Sequence, residues 1–323
     1  MSMRHSVASS PSEAGGTAFA EDVAHSLTQS PRQLPCRYLY DDLGSALFEA
    51  ICRLPWYRIA RTEQSLLQAH ADAIFGLLQP ISTVVELGPG SGEKLATLLA
   101  AWPRRDATVH LVDMSPAALD KAAGALAALP ALTVVTREAT YEAGLSAIAR
   151  AGGAAGRALV VFLGSNVGNF DPPGADALLR SIRTALGPGG ALLLGTDLVK
   201  PESELLLAYD DPLGVTAAFN RNLLVRVNRE LGGDFDVNQF THRAAWNPSA
   251  ARVEMHLVSR LRQRVRVRDS GIDVTFDAGE FIWTESSYKY RVDDLAPVLD
   301  RAGFQPTGQW QQDGFALTLA EAR

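Results

Sequence analysis

From residue 82 to about 197, short runs of β-branched and leucine residues alternate with longer segments whose apolar positions recur every three to four residues. The first run, Thr83-Val84-Val85-Glu86-Leu87, stops at a glycine cluster. A segment over 93–102 follows, with Leu95, Leu98 and Leu99 on one side. Residues 109–113 form the next run. Ser115 then reads as an N-cap and Pro116 as the first residue of a helix reaching 129, since a serine oxygen satisfies orphan N–H groups and proline's missing N–H costs nothing there. Further strands are expected at 132–135, 158–163 and 191–195, with a helix over 174–186 between the last two. The run at 158–163 is continuously apolar, as a strand buried on both faces should be. Five strands with intervening helices predict a parallel sheet with right-handed crossovers, an α/β, Rossmann-like doubly wound domain.

Beyond residue 200 the periodicity changes. Residues 201–231 read as mainly helical, including a long run over 215–230. Val253, Met255 and Leu257 then share one strand face, with Glu254 and His256 on the other. Val265 and Val267 alternate with Arg264, Arg266 and Arg268 in the same way, so two antiparallel strands joined near Arg260 are expected, their arginines solvated. A helix over 293–302 and a strand over 314–319 are expected to return to the α/β sheet. The resulting division has a disordered tail at 1–30 and a helical N-terminal part of a smaller α+β substrate domain at 31–62. The sheet domain follows at 63–199, an insertion at 200–287 and the return at 288–323. The helical stretch before Ser82 has no sheet of its own and is expected to pack with the insertion.

Composition narrows the class. The chain has 323 residues, 47% hydrophobic and 20% charged, which suits a globular protein of about two domains rather than a disordered one. Thirty basic against 36 acidic residues leave a formal charge of −6, which disfavours nucleic acid as the partner. Cys36 and Cys52 are too few for a disulfide framework or a zinc site and read as inert thiols in a reducing, cytoplasmic compartment. The first thirty residues lack a continuous apolar segment, and no apolar run approaches the ~20 residues of a membrane span. A monomer without metal or membrane contact is the expectation.

The turn after the first strand, Gly88-Pro89-Gly90-Ser91-Gly92-Glu93, carries the first chemical signal. Glycines at this place let backbone approach a ligand at the carboxyl edge of the sheet. A dinucleotide fingerprint beginning at Gly88 needs its third glycine at 93, which is Glu. The pattern is G-x-G-x-G instead, suited to a nucleoside without a pyrophosphate, and Glu86 before it tolerates a cation while repelling a diphosphate. Asp113, ending the second strand, is placed to accept hydrogen bonds from both hydroxyls of a ribose. Glu86, Gly88, Gly90 and Asp113 together favour S-adenosylmethionine over a nicotinamide cofactor. The fourth strand ends in Gly164-Ser165-Asn166-Val167-Gly168-Asn169, whose two asparagines can hold an amine or a carboxylate through neutral donors and acceptors. No Lys, His or Cys lies in that loop, so covalent or general-acid chemistry is not suggested.

These segments resemble the histidine-specific Nα-methyltransferase family, which forms trimethylhistidine (hercynine) for ergothioneine biosynthesis. The blocks that carry the resemblance run in order from Arg37-Tyr38-Leu39-Tyr40-Asp41, through Leu54-Pro55-Trp56-Tyr57 and Arg61-Thr62-Glu63, to the glycine and asparagine loops. They continue with Tyr209-Asp210-Asp211, Phe219-Asn220-Arg221-Asn222, Glu254-Met255-His256-Leu257 and Thr284-Glu285-Ser286-Ser287-Tyr288-Lys289. The likeness covers about residues 30–322. It implies that Tyr40, Gly88, Lys94 and Asp113 contact the methyl donor. The family's adenine-binding acid falls at 139–141, where this chain has Ala139, Thr140 and Tyr141, so that Thr140 replaces it. It assigns Tyr57, Gly164, Asn169 and Tyr209 to the amino and carboxylate end of a free amino acid, near Asn166, and Met255, Glu285 and Ser287 to its side chain. Relatives often carry a hydroxyl residue at the place of Asn166 and a second tyrosine at that of Arg58.

An imidazole suits that last trio: Glu285 can accept from a protonated ring nitrogen, Ser287 can satisfy its partner, and Met255 offers an adaptable apolar wall. Asn169 and Tyr40 are the expected catalytic residues, fixing the amine and facing the cation that methylation creates. Two other functions are compatible: N-methylation of another free amino acid such as tryptophan, and S-adenosylmethionine binding without turnover.

Overall fold

A computed structural model describes residues 13–78, 80–102, 107–129, 132–150 and 157–323. The chain divides into two compact units, one comprising residues 1–39, 217–243 and 255–285, the other 40–216, 244–254 and 286–323.

The larger unit is built on a seven-stranded sheet. Its five parallel strands are Thr83–Leu87, Ala107–Asp113, Leu132–Glu138, Ala158–Phe162 and Ala191–Asp197, close to the sequence expectation. In space the strand beginning at 83 lies between those beginning at 107 and 158, the switch point of a doubly wound sheet. Helices Tyr141–Arg150, Pro172–Leu186 and Val292–Arg301 share one core with the sheet residues Val85, Leu87, Val160, Phe162, Leu192 and Leu194. The alternate residues of those strands are also buried, so the strands are covered on both faces.

Two features of this unit depart from expectation. The return to the sheet is a hairpin, Phe304–Gln312 with Phe315–Ala322, in which the second strand pairs antiparallel with Ala191–Asp197. Its outer strand escaped the periodicity because Pro306 and Gly308 interrupt it at a bulge and Gln309, Gln311 and Gln312 make it polar. The helix Ile59–Leu77 packs against this hairpin and against the helix Glu93–Ala100, so the stretch before Ser82 belongs to the sheet unit and not with the insertion. Its buried stripe is Ile59, Thr62, Glu63, Leu66, Leu67, Ala71 and Ile74, a helical period with one carboxylate on it. Gly195, at the centre of the strand Ala191–Asp197, leaves the space that the Glu63 carboxylate fills.

The smaller unit contains the helix Glu13–Leu27, which corrects the expected tail: Phe19, Val23 and Leu27 are buried on one stripe, hidden in the sequence among small residues. Residues 1–12 of that expected tail lie outside the described residues. Phe19 packs on Tyr38 with ring centroids 4.1 Å apart, and the Arg226 guanidinium lies over both rings. A four-stranded sheet is ordered Arg32–Gln33, Phe281–Tyr288, Arg252–Ser259, Phe240–Asn247, of which residues 32–33, 281–285, 255–259 and 240–243 fall in this unit. The arginine strand Gln263–Val267 pairs with Ile272–Phe276 rather than with the strand of Met255, because the turn at 268–271 closes the shorter loop. Its arginines are exposed and paired with Asp273, as a solvated face should be. Phe235, Phe240 and Phe276 form the aromatic core. The unit boundaries at 39/40, 216/217, 243/244, 254/255 and 285/286 replace the single expected insertion over 200–287.

A Cβ at position 195 would overlap a carboxylate that cannot retreat, so Gly195→Ala is expected to lower unfolding stability by about 1–3 kcal/mol. Gly76, in the helix Ile59–Leu77 with open space around it, is the control: Gly76→Ala should stabilise by about 0.5–1 kcal/mol. Urea melts of the two variants measure both.

Candidate active site

The glycine turn does what its sequence suggests. Gly88, Gly90 and Gly92 all have positive φ, at 70°, 54° and 75°, which side chains resist. A Cβ at 88 would stand 2.8 Å from the Tyr141 hydroxyl and 2.9 Å from the Asn166 amide nitrogen, so the turn, Tyr141 and Asn166 converge. Tyr141 is fixed edge-on against Phe162 at 5.4 Å. Glu86, just before the turn, is 2% exposed, and its Oε2 is buried with no hydrogen-bond partner. Burial pushes its carboxyl up to about 8, against the lowering influence of Lys94. An orphan carboxylate oxygen beside a cradle of left-handed glycines fits a ligand bearing a positive charge and an amine, as S-adenosylmethionine does.

Asp113 ends its strand half-buried, with one carboxylate oxygen accepting from the Ser115 N–H at 2.9 Å. Burial raises its pKa although that N–H works the other way. Thr140 is exposed, and its hydroxyl accepts from the Ala143 N–H at 3.3 Å. It therefore caps the helix Tyr141–Arg150, a local task at the position where the sequence analysis placed the adenine contact.

Lys94 forms an ion pair with Glu63, which is itself fully buried. Both Glu63 oxygens also accept from the Gly164 N–H at 2.9 Å. Burial would strip the Lys94 proton, but the Glu63 charge and hydrogen bond outweigh it and raise its pKa. Glu63 thus joins two residues that the sequence assigned to different ligands. It was missed as a site residue, although a lone acid on the buried stripe of a helix was a legible signal. Beyond Gly164, Ser165 adopts a left-handed φ of 57° and its hydroxyl accepts from the Asp197 N–H at 2.9 Å. This holds the short 3-10 turn Asn166–Asn169, with Asn169 half-buried. A Cβ at Gly168 would lie 2.6 Å from the Tyr288 carbonyl, so only glycine lets the loop approach.

Four aromatic rings form a chain within the same unit. Tyr40 meets Phe48 at 5.5 Å, Phe48 meets Tyr57 at 6.1 Å, and Tyr57 meets Tyr209 at 6.2 Å, all edge to face. Tyr209 donates to the Ser287 hydroxyl at 2.8 Å, and the buried Lys289 contacts both. Lys289 and its counter-ion Asp197 were not singled out from the sequence. Asp211, in the same motif as Tyr209, accepts from the N–H groups of Leu213, Val215 and Thr216 and so serves as a cap. Arg58 lies exposed in an ion pair with Asp313.

In the smaller unit Met255 is 2% exposed, its carbonyl taking the Thr284 hydroxyl at 3.0 Å. Glu285 is buried, and the Trp283 indole donates to its carbonyl at 2.9 Å. Burial, then the Glu285 charge, pushes the Cys36 thiol up to about 12. In the larger unit, burial lifts Cys52 to about 11. At both positions burial disfavours the reactive thiolate. Among the described residues no group of His, Cys, Asp and Glu could hold a metal, and no helix is long and apolar enough to cross a membrane.

A family model described as histidine-specific methyltransferase, SAM-dependent, matches residues 19–322. A histidine N-alpha-methyltransferase of Mycolicibacterium smegmatis is 40% identical over 313 residues, covering 95% of this chain and 96% of that protein. One of Mycobacterium tuberculosis is 41% identical, covering 98% and 99%. Among solved structures, the CcbJ methyltransferase of Streptomyces caelestis aligns with 79% of this chain and 95% of its own at 15% identity and a TM-score of 0.42. With an α/β sheet, a glycine cradle and a match spanning both units, the chain belongs to the S-adenosylmethionine-dependent, histidine-specific methyltransferase family.

Proposed function

We propose that this protein methylates the α-amino group of free L-histidine three times, giving the trimethylated betaine that the ergothioneine pathway uses. The observation that carries the reading is the meeting of Lys94, from the helix after the glycine turn, and Gly164, from the asparagine loop, on one buried carboxylate, Glu63. Donor-binding and acceptor-binding segments are thereby fixed to each other at the carboxyl edge of the sheet.

S-adenosylmethionine, when bound, supplies an electrophilic methyl group. Glu86 and the Gly88–Gly92 backbone would hold its charged end, Asp113 its ribose, and Tyr40 and Lys94 would complete the contacts. The protein's task is then placement. The nucleophile is a neutral amine, so its proton must leave to water. Asn169 holds it through a neutral amide, which neither protonates it nor repels the quaternary ammonium that builds up. Tyr40 and Tyr57 would turn aromatic faces to that growing charge. Gly164 and Asn166 border the amino acid's carboxylate. Glu285 and Met255 are the proposed determinants of ring recognition, with Ser287 as the hydroxyl partner of the second ring nitrogen.

Incubating the protein with S-adenosylmethionine and an equimolar mixture of free amino acids should yield histidine carrying three added methyl groups by mass spectrometry. The same gain on tryptophan would keep the fold and chemistry but overturn the ring assignment. Glu285→Ala should raise KM for histidine at least about tenfold while leaving KM for S-adenosylmethionine within about twofold, as expected for loss of a charged hydrogen-bond partner. Asn169→Ala should lower kcat more than it raises either KM.

The Glu86 carboxyl yields a pH test. Its folded pKa, about 8, is raised above the unfolded value by burial, so ionising it costs stability increasingly as pH rises from the ordinary carboxylate range toward 8. Glu86→Gln should therefore raise the melting temperature of the ligand-free protein at pH 8, with the gain vanishing near about pH 4. The same variant should bind S-adenosylmethionine about tenfold more weakly by calorimetry at pH 8.

A further inference from the structure

Lys289 is fully buried, as is Asp197. Its ammonium lies 3.0 Å from Asp197 Oδ2, 2.7 Å from the Tyr209 hydroxyl and 2.8 Å from the Ser287 hydroxyl, and it sits over the Tyr209 ring at 4.6 Å. Burial works against its charge, but Asp197 and Tyr209 more than compensate and hold it protonated. Backbone bonds fix it on both sides: its own N–H donates to the Ala251 carbonyl at 2.7 Å, and the Tyr290 N–H donates to the Asp197 carbonyl at 3.0 Å. Asp197 is held in turn by Lys200 at its other oxygen.

The hydrogen bonds of the cluster give each oxygen its role. An ammonium only donates. Tyr209 therefore accepts from Lys289, and its own proton goes to Ser287, 2.8 Å away. Ser287 receives two hydrogen bonds, from Lys289 and from Tyr209, which occupy both lone pairs of its oxygen. What Ser287 still has to offer is its own O–H.

We propose that Lys289 is a positioning residue that fixes Ser287 as a hydrogen-bond donor, and so selects a substrate ring that presents an acceptor nitrogen. The proposal rests on the reading that Ser287 meets the substrate's ring. A neutral imidazole has one N–H and one lone-pair nitrogen. An indole or a pyrrole has an N–H and no ring acceptor, and would leave the Ser287 proton unpaired, which a buried site penalises. Specificity for the ring is thereby set by a cation that never touches it.

The test compares kcat/KM for histidine with that for the two isomers of pyrrolylalanine, in each of which a C–H replaces one ring nitrogen. The wild type should favour histidine at least about a hundredfold. Ser287→Ala should reduce that ratio about tenfold or more, and Lys289→Met should do the same, through KM for histidine, with KM for S-adenosylmethionine unchanged. In the double variant the ratio should fall no further than in Ser287→Ala, because Lys289 reaches the ring only through Ser287. A merely structural lysine would weaken all substrates alike and leave the ratio intact. If Lys289→Met leaves the ratio intact while Ser287→Ala collapses it, the proposal fails and the Ser287 assignment stands. If Ser287→Ala itself changes nothing, both fall. Should Lys289→Met not fold, the pair Asp197→Asn with Lys289→Met removes both buried charges together and reads the same ratio.

Discussion

A carboxylate taken wholly out of water is tolerable only where its charge is matched and its lone pairs are filled. Glu63 meets that condition with an ammonium on one side and a backbone N–H on the other, in a space that exists because residue 195 has no side chain. The requirement ties together four places far apart in the chain. The helix of Glu63, the helix after the glycine turn, the loop after the fourth parallel strand and the middle of the fifth cannot shift independently. A methyl transfer that depends on placing two ligands against each other needs that kind of rigidity more than it needs an acid or a base.

The same logic recurs at Asp197, whose two oxygens hold Lys200 and Lys289 and whose N–H holds the hydroxyl of the left-handed Ser165. Glu86 breaks the pattern. It is as buried as its neighbours, yet one oxygen has no partner. Balanced charges build the scaffold, while the unbalanced one marks where a charged ligand is expected.

Much of this was legible in the sequence where a residue's own chemistry restricts its surroundings. The five parallel strands show as runs of Val and Leu, and the glycine turn shows because left-handed backbone admits little else. The C-terminal outer strand, rich in glutamine and broken by Pro306 and Gly308, carries no alternation to read, and the helix of Phe19 is masked by small residues. Met255, Glu285 and Ser287 were reached through motif order. Lys289 was not singled out, although it stood in the same motif, because a lysine in an exposed-looking strand end is ordinarily solvated. Only the tertiary neighbours Asp197 and Tyr209 reveal that it is buried. Thr140, read for ligand contact, also caps its own helix, a local role its sequence position did not show.

The antiparallel hairpin has a consequence for how the chain is made. Strand Ala191–Asp197 is buried along its whole length only when residues 315–322 lie beside it. At bacterial-to-eukaryotic elongation rates of roughly 5–20 residues per second, on the order of ten seconds pass on the ribosome between the emergence of these two strands. Throughout that interval the nascent sheet presents an open, leucine-rich edge, and the segment synthesised meanwhile includes most of the smaller unit. The vulnerable moment in this protein's life therefore precedes catalysis altogether: it is the wait for a late strand, and the polar, proline-bent outer strand that arrives with it caps the finished sheet against pairing with a stranger.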